Sequence, residues 1–240
     1  MYQSCLLIDT GLNPDRPRPG RMWLGNLYRV HQRLCMGFPS PVRVAGDAHF
    51  LHPFAPEDFA QGHVQTQRDA TSGFLFRVDA LPGGRAVVLV QSAARPDWGY
   101  AFSNARHLLA AEPLVREYEH ELGAGELRRF RLRANAVRRL PAGEPHTDGP
   151  RVPVPPERFV PWLEGRARGF ELPERPTVTP GYVYVNKSGK RGEGRRYRSV
   201  VYEGVLRVTD PEALMCQITC GIGPAKAFGF GLLSVAPARD

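Results

Sequence analysis

The chain has 240 residues, 42% of them hydrophobic and 23% charged, which suffices for one large domain or two small ones and excludes a wholly disordered chain. Thirty-two Lys and Arg against twenty-four Asp and Glu leave a net charge of +8 and a pI near 9.7, a balance that favours an anionic partner. No apolar run approaches the roughly 18 residues of a membrane span and no amino-terminal signal pattern occurs, so a soluble, cytoplasmic protein is expected.

Cys5, Cys35, Cys216 and Cys220 form neither a Cys-x-x-Cys pair nor a disulfide framework, and are expected as thiols packed in the core. In chain order, YQSCLLID (2–9) has the length and apolar content of a strand. A Pro-, Gly- and Arg-rich loop covers 10–20. In the segment 23–38 that follows, Leu27, Val30, Leu34 and Phe38 recur at helical spacing, with Asn26 as N-cap. Residues 39–72 are polar and broken by Pro and Gly, the pattern of an insertion or mobile loop. GFLFRVDAL (73–81) and RAVVLVQSA (85–93) form a predicted hairpin across LPGG, while 104–122 is ambiguous between a helix and a short edge strand.

The second half has the same grammar. LRRFRLRANAVRRL (127–140) alternates arginine with Phe130, Leu132 and Ala134, as a half-exposed strand does. Residues 155–170 are expected as a helix opened by proline, and 181–210 as a long hairpin with a basic, glycine-containing tip. Asp210 and Pro211 occupy N-cap and N1 positions of a helix that ends in glycines, and FGLLSVAP closes as a strand. Each half approximates strand-helix-strand-strand-helix-strand. The expectation is therefore an α+β protein of two tandem ferredoxin-like (RRM-like) domains, residues 1–122 and 123–240.

GIGPAKAFGFGLL (221–233) carries four glycines and Lys226. A dinucleotide fingerprint has its glycines after a strand and before a helix, and a P-loop ends in Gly-Lys-Ser/Thr. Here the order is helix, glycines, strand, so the nucleotide reading fails. A plain helix cap and turn remains, or a backbone-exposing loop that admits phosphates beside Lys226.

Those residues, extended to GIGPAKAFGFGLLSVAP, strongly resemble the carboxyl-terminal signature of the CasE family, the CRISPR precursor-RNA endoribonucleases of the Cascade complex. YQSCLLID followed by LYRVHQRL is similar to the family's first strand and its helix with a Tyr-x-x-His pair. FLFRVD, VLVQS, FRLRAN and VYEGVLRVTD recur in the family's order. The resemblance covers most of the chain and implies the RAMP superfamily with its two ferredoxin-like modules.

Tyr28 and His31 lie three apart and share a helical face. On the residues alone they are an ordinary boundary pair; the resemblance places them on the family's active-site positions. Metal-free RNA cleavage uses the 2′-hydroxyl as an internal nucleophile, leaving the protein to move protons, stabilise the phosphorane and hold the attack in line. Histidine titrates near 6.5 and tyrosine near 10, so His31 is expected as the main acid/base group and Tyr28 as its assistant. Some relatives carry a lysine five residues after the histidine, where this chain has Met36. Lys226 or a nearby arginine is the expected substitute.

Two basic segments are candidate RNA contacts. Residues 128–139 hold six arginines and no acid, among them Arg131, Arg133, Arg138 and Arg139; Arg151 follows in a loop, 141–152, that is less basic than in relatives. The tip holds Lys187, Lys190, Arg191, Arg195, Arg196 and Arg198 against Glu193 alone. On its residues alone each segment reads first as a solvated basic face. The resemblance implies that the tip enters the stem of the CRISPR repeat RNA, where arginine forks fit guanine edges even though an A-form major groove is ordinarily too narrow for side chains. Gly221, Gly223 and Lys226 complete the expected RNA surface.

His49 and His52 have metal-like spacing, but Pro53 adjoins them and no third ligand is evident, so neither metal nor cofactor is expected. Trp23, Trp98 and Trp162 are expected as packing residues. The resemblance implies a metal-independent endoribonuclease that cuts the repeat hairpin at the 3′ base of its stem and stays on the processed guide RNA among the other Cascade subunits. The alternatives are a cleavage-deficient repeat-binding subunit and an RRM-like single-strand binder, though FRLRANAV lacks the aromatic RNP pattern.

Overall fold

The computed structural model describes residues 1–13, 15–52, 73–141 and 149–238. They form two compact units. The first comprises Met1–Glu119 together with Tyr184–Arg195 and Ala227–Gly229; the second comprises His120–Val183, Arg196–Lys226 and Phe230–Asp240.

In the first unit, β1 (Tyr2–Asp9) leads into helices α1 (Pro19–Leu24), α2 (Leu27–Cys35) and α3 (Pro41–Gly46). Strands β2 (Phe74–Leu81) and β3 (Arg85–Ser92) follow, then the short helix α4 (Trp98–Ala101) and strand β4 (Leu114–Glu117). The sheet order is β2-β3-β1-β4, the antiparallel arrangement of a ferredoxin-like unit. β2 and β3 pair from Phe74↔Ser92 to Leu81↔Arg85 around the expected Pro-Gly-Gly turn. The ambiguous stretch 104–122 resolves into a single 3₁₀ turn, Arg106–Leu108, and the edge strand β4.

Helix α2 forms where the sequence places it because Asn26 caps it: the side-chain oxygen of Asn26 accepts from the backbone N–H of Tyr28 at 3.2 Å. Its apolar stripe, Leu27, Val30 and Leu34, is buried. Helix α1 begins inside the predicted 10–20 loop, since Pro19 sets the φ of a first helical residue. Likewise α3, with the Ser40 hydroxyl accepting from the Arg43 N–H at 3.2 Å, lies within the predicted insertion 39–72. Residues 53–72 of that stretch lie outside the described residues.

In the second unit, β5 (Leu127–Ala134) is followed by the small pair β6 (Val137–Arg139) and β7 (Arg151–Pro153), helix α5 (Phe159–Glu164) and β8 (Phe170–Glu171). Then come β9 (Thr177–Val185), β10 (Arg195–Val208), α6 (Pro211–Cys220) and β11 (Leu233–Pro237). The sheet runs β11-β5-β10-β8, with β9 also paired to β10. Strands β5, β9, β10 and β11 thus repeat the ferredoxin-like order, and β8 is added on β10.

Along β5 the apolar residues Phe130, Leu132 and Ala134 are buried while the arginines between them are not, so the period-two pattern was set by one buried face. The predicted 155–170 helix is shorter than expected. A 3₁₀ turn at Pro156–Arg158 precedes α5, and the helix stops at Gly165. Trp162 packs as expected: it stacks on Tyr202 with 6.4 Å between ring centroids and donates its indole N–H to the Val137 carbonyl at 2.9 Å. Burial pushes the Tyr202 phenol well up; its hydroxyl donates to the Phe159 carbonyl at 3.0 Å. Trp23 and Trp98 are buried as well.

The cysteines correct their sequence reading. Cys216 is exposed, and Cys5, Cys35 and Cys220 are only half-buried. Cys216 and Cys220 stand one turn apart on α6 with their sulfurs 3.7 Å apart, while Leu214 and Ile218 supply the buried face of that helix.

Candidate active site and nucleic-acid interface

Tyr28 and His31 occupy successive turns of α2, both half-buried. The imidazole of His31 stacks against Phe74, 5.5 Å between centroids, and Phe76 at 6.4 Å, both on β2. Its Nε2 lies 3.6 Å from the Cys35 sulfur. These neighbours fix the ring plane of a half-buried residue whose Nδ1 is itself buried, and an imidazole held in this way is the type of group that exchanges protons with a bound substrate. The Tyr28 ring meets Phe228 edge-to-face at 6.5 Å. Phe228 belongs to the Ala227–Gly229 segment of the same unit.

The basic tip contributes a third group here. Lys187 Nζ lies 5.9 Å from the Tyr28 ring centroid and 5.4 Å from that of Phe228. Met36, where some relatives carry lysine, is the C-cap of α2. Arg33, on the same helix, is committed elsewhere: its guanidinium donates to the Ala101 carbonyl at 2.9 Å and to Asn104 Oδ1 at 2.8 Å.

The other expected RNA-binding residues divide between the units. Lys190, Arg191 and Arg195 are exposed in the first. Arg196 is exposed in the second, where Arg198 is half-buried and donates to the Val154 carbonyl at 3.3 Å. Arg131 and Arg133 are half-buried on β5, their Nε atoms buried, and Arg131 is 3.4 Å from Glu203 on β10, which partly neutralises it. Arg138, Arg139 and Arg151 are exposed on the β6–β7 pair, where Arg139 stands directly opposite Arg151. Residues 142–148 of the 141–152 loop lie outside the described residues.

Gly221 ends α6 with φ of 74°, and Gly223 follows with φ of 82°. A β-carbon on Gly223 would stand 3.0 Å from the Trp162 ring. The glycines thus serve turning and packing, and Lys226 beside them is exposed. Gly223→Val should destabilise the protein by about 1–3 kcal/mol through forced positive φ plus the clash with Trp162, and weaken RNA binding with it. Thermal unfolding and RNA titration would check this; an unchanged midpoint and affinity would refute it.

His49 and His52 are exposed, and the His52 ring lies 3.6 Å from the Asp47 carboxylate. Among the described residues no cluster of three His, Cys, Asp or Glu groups gathers as a metal site would require, and no helix is long and apolar enough to cross a membrane.

The two sheets define the class: an α+β protein of tandem ferredoxin-like units. A family model described as CRISPR associated protein matches residues 1–237, and the chain belongs to that family. It is 31% identical to the CRISPR system Cascade subunit CasE of Escherichia coli, over 90% of this chain and 95% of that one. It is 38% identical to the CRISPR-associated endoribonuclease Cse3 of Thermus thermophilus, over 63% of this chain and 73% of its relative. The solved structure of Thermus thermophilus Cse3 bound to an RNA representing a pre-cleavage complex superposes with a TM-score of 0.71 at 28% identity, covering 98% of each chain.

Proposed function

We propose that this protein is the endoribonuclease that processes CRISPR precursor RNA in its cell. It binds the repeat hairpin, cuts at the 3′ base of the stem without a metal ion, and remains on the guide RNA with the other Cascade subunits in the cytoplasm. The observation that carries this reading is the half-buried Tyr28–His31 pair on one face of α2, in a chain of this family.

In the reaction the 2′-oxygen attacks the adjacent phosphorus and the P–O5′ bond breaks. One proton leaves the 2′-hydroxyl and one arrives on the departing 5′-oxygen. His31 exchanges these protons, and Tyr28 hydrogen-bonds the phosphate or the reacting hydroxyl. The product is a 2′,3′-cyclic phosphate or its ring-opened form. The arginines of β6–β7 and of the hairpin hold the backbone; Gly221, whose own N–H is donated to the Gln217 carbonyl at 2.8 Å, turns the chain so that Gly223 and Lys226 offer a backbone N–H and a charge to further phosphates.

A repeat hairpin carrying a single 2′-deoxynucleotide 5′ of the scissile phosphate tests the reading. It should bind as the all-RNA hairpin does and remain uncut. Cleavage of the deoxy hairpin would mean that an external nucleophile does the work.

A further inference from the structure

The tip of the β9–β10 hairpin is built around one residue. The Asn186 side chain accepts from the Gly189 N–H at 2.9 Å and the Ser188 hydroxyl at 3.2 Å, and donates to the Lys190 carbonyl at 2.8 Å. Its backbone is held just as firmly. Asn26 Nδ2 donates to the Asn186 carbonyl at 2.9 Å, and Asn26 Oδ1 accepts from the Asn186 N–H at 3.0 Å. Both asparagines are buried. The same Asn26 oxygen caps α2 through the Tyr28 N–H. One buried amide therefore fixes the start of the helix that carries Tyr28 and His31 and the residue immediately before Lys187.

That clamp leaves the Lys187 side chain exposed but directed, with its ammonium over the faces of Tyr28 and Phe228. Among the described residues no carboxylate lies within ion-pair distance of it. A cation held on two rings, without an acid to neutralise it, keeps its charge and its three N–H donors for an incoming anion.

We propose that Lys187 is a third catalytic residue. Its ammonium hydrogen-bonds a non-bridging oxygen of the scissile phosphate and offsets the charge that builds on the phosphorane, while Asn26 and Asn186 act as positioning residues. This rests on the cleavage reading given above. It makes the hairpin tip part of the reaction centre as well as of the RNA grip.

Single-turnover cleavage at saturating protein separates chemistry from binding, and the 2′-deoxy hairpin supplies the affinity. Lys187→Met keeps the apolar stem on the rings and removes the charge. It should lower the cleavage rate constant by roughly 100-fold, the scale of losing one donor to a developing oxyanion, with affinity for the deoxy hairpin changed far less. Lys187→Arg should recover at least a tenth of the parental rate.

Parental rate constants for Lys187→Met, alongside a slow His31→Ala, would overturn the inference and leave the cleavage reading standing. Parental rates for both would sink that reading too. Weaker binding with an unchanged rate constant would make Lys187 a docking residue only. An equal rate loss in the Met and Arg variants, with a lowered thermal midpoint, would make its role structural; either result contradicts the proposal.

Discussion

His31→Ala should slow cleavage of the repeat hairpin by roughly 100-fold or more, the usual scale for a positioned acid/base group, with affinity for the hairpin nearly unchanged. The separation follows from its setting. His31 stacks on Phe74 and Phe76 and is half-buried, so it adds little to the electrostatic surface that grips phosphates. Its truncation opens a small space over two phenylalanines while Leu27, Val30 and Leu34 still anchor α2. Single-turnover rates with a parallel binding titration check this; a mutant that cuts at the parental rate would show that His31 is an ordinary boundary histidine.

Replacing Arg195, Arg196 and Arg198 together by glutamine should act in the opposite way. Affinity should fall steeply at moderate salt, and the slope of log affinity against log salt should flatten by about 0.7–0.9 for each phosphate no longer neutralised. Arg195 and Arg196 are exposed, so their removal costs little stability. Arg198 also donates to the Val154 carbonyl and adds a small structural loss. At saturating protein the cleavage rate should recover. An unchanged salt slope would mean these arginines face solvent and not RNA.

Much of the fold was legible because local chemistry and burial agree. The alternation of β5, the Asp210–Pro211 start of α6 and the Asn26 cap each tie a residue pattern to one hydrogen-bonding or packing need. Short helices escaped: α1 and α3 are six residues each, too few to display a period, and were hidden by the prolines that start them. The cysteines of α6 misled because a thiol carries no sign of which helical face it takes.

Of the site, Tyr28 and His31 were legible as a spacing but not as a function; the resemblance supplied that. Lys187 was legible as an RNA contact of the hairpin tip, but its place over the Tyr28 ring was not. It depends on Tyr184–Arg195 joining the first unit through the Asn26–Asn186 pairing, 160 residues apart in the chain. No local pattern signals such a meeting, although two asparagines flanking functional segments are the kind of residue that makes it. The sequence pointed to Lys226 or a nearby arginine for the charge-neutralising role proposed above for Lys187, whose ammonium lies 5.9 Å from the Tyr28 ring centroid.

The most direct test of the central claim is incubation of the protein with its cognate repeat RNA in excess EDTA, followed by analysis of the ends of the upstream fragment. The account predicts undiminished cutting at a single position, with a 2′,3′-cyclic phosphate or its ring-opened phosphate on that fragment. Intact RNA that is cut only when Mg²⁺ is restored, or an upstream fragment ending in a free 3′-hydroxyl, would contradict it.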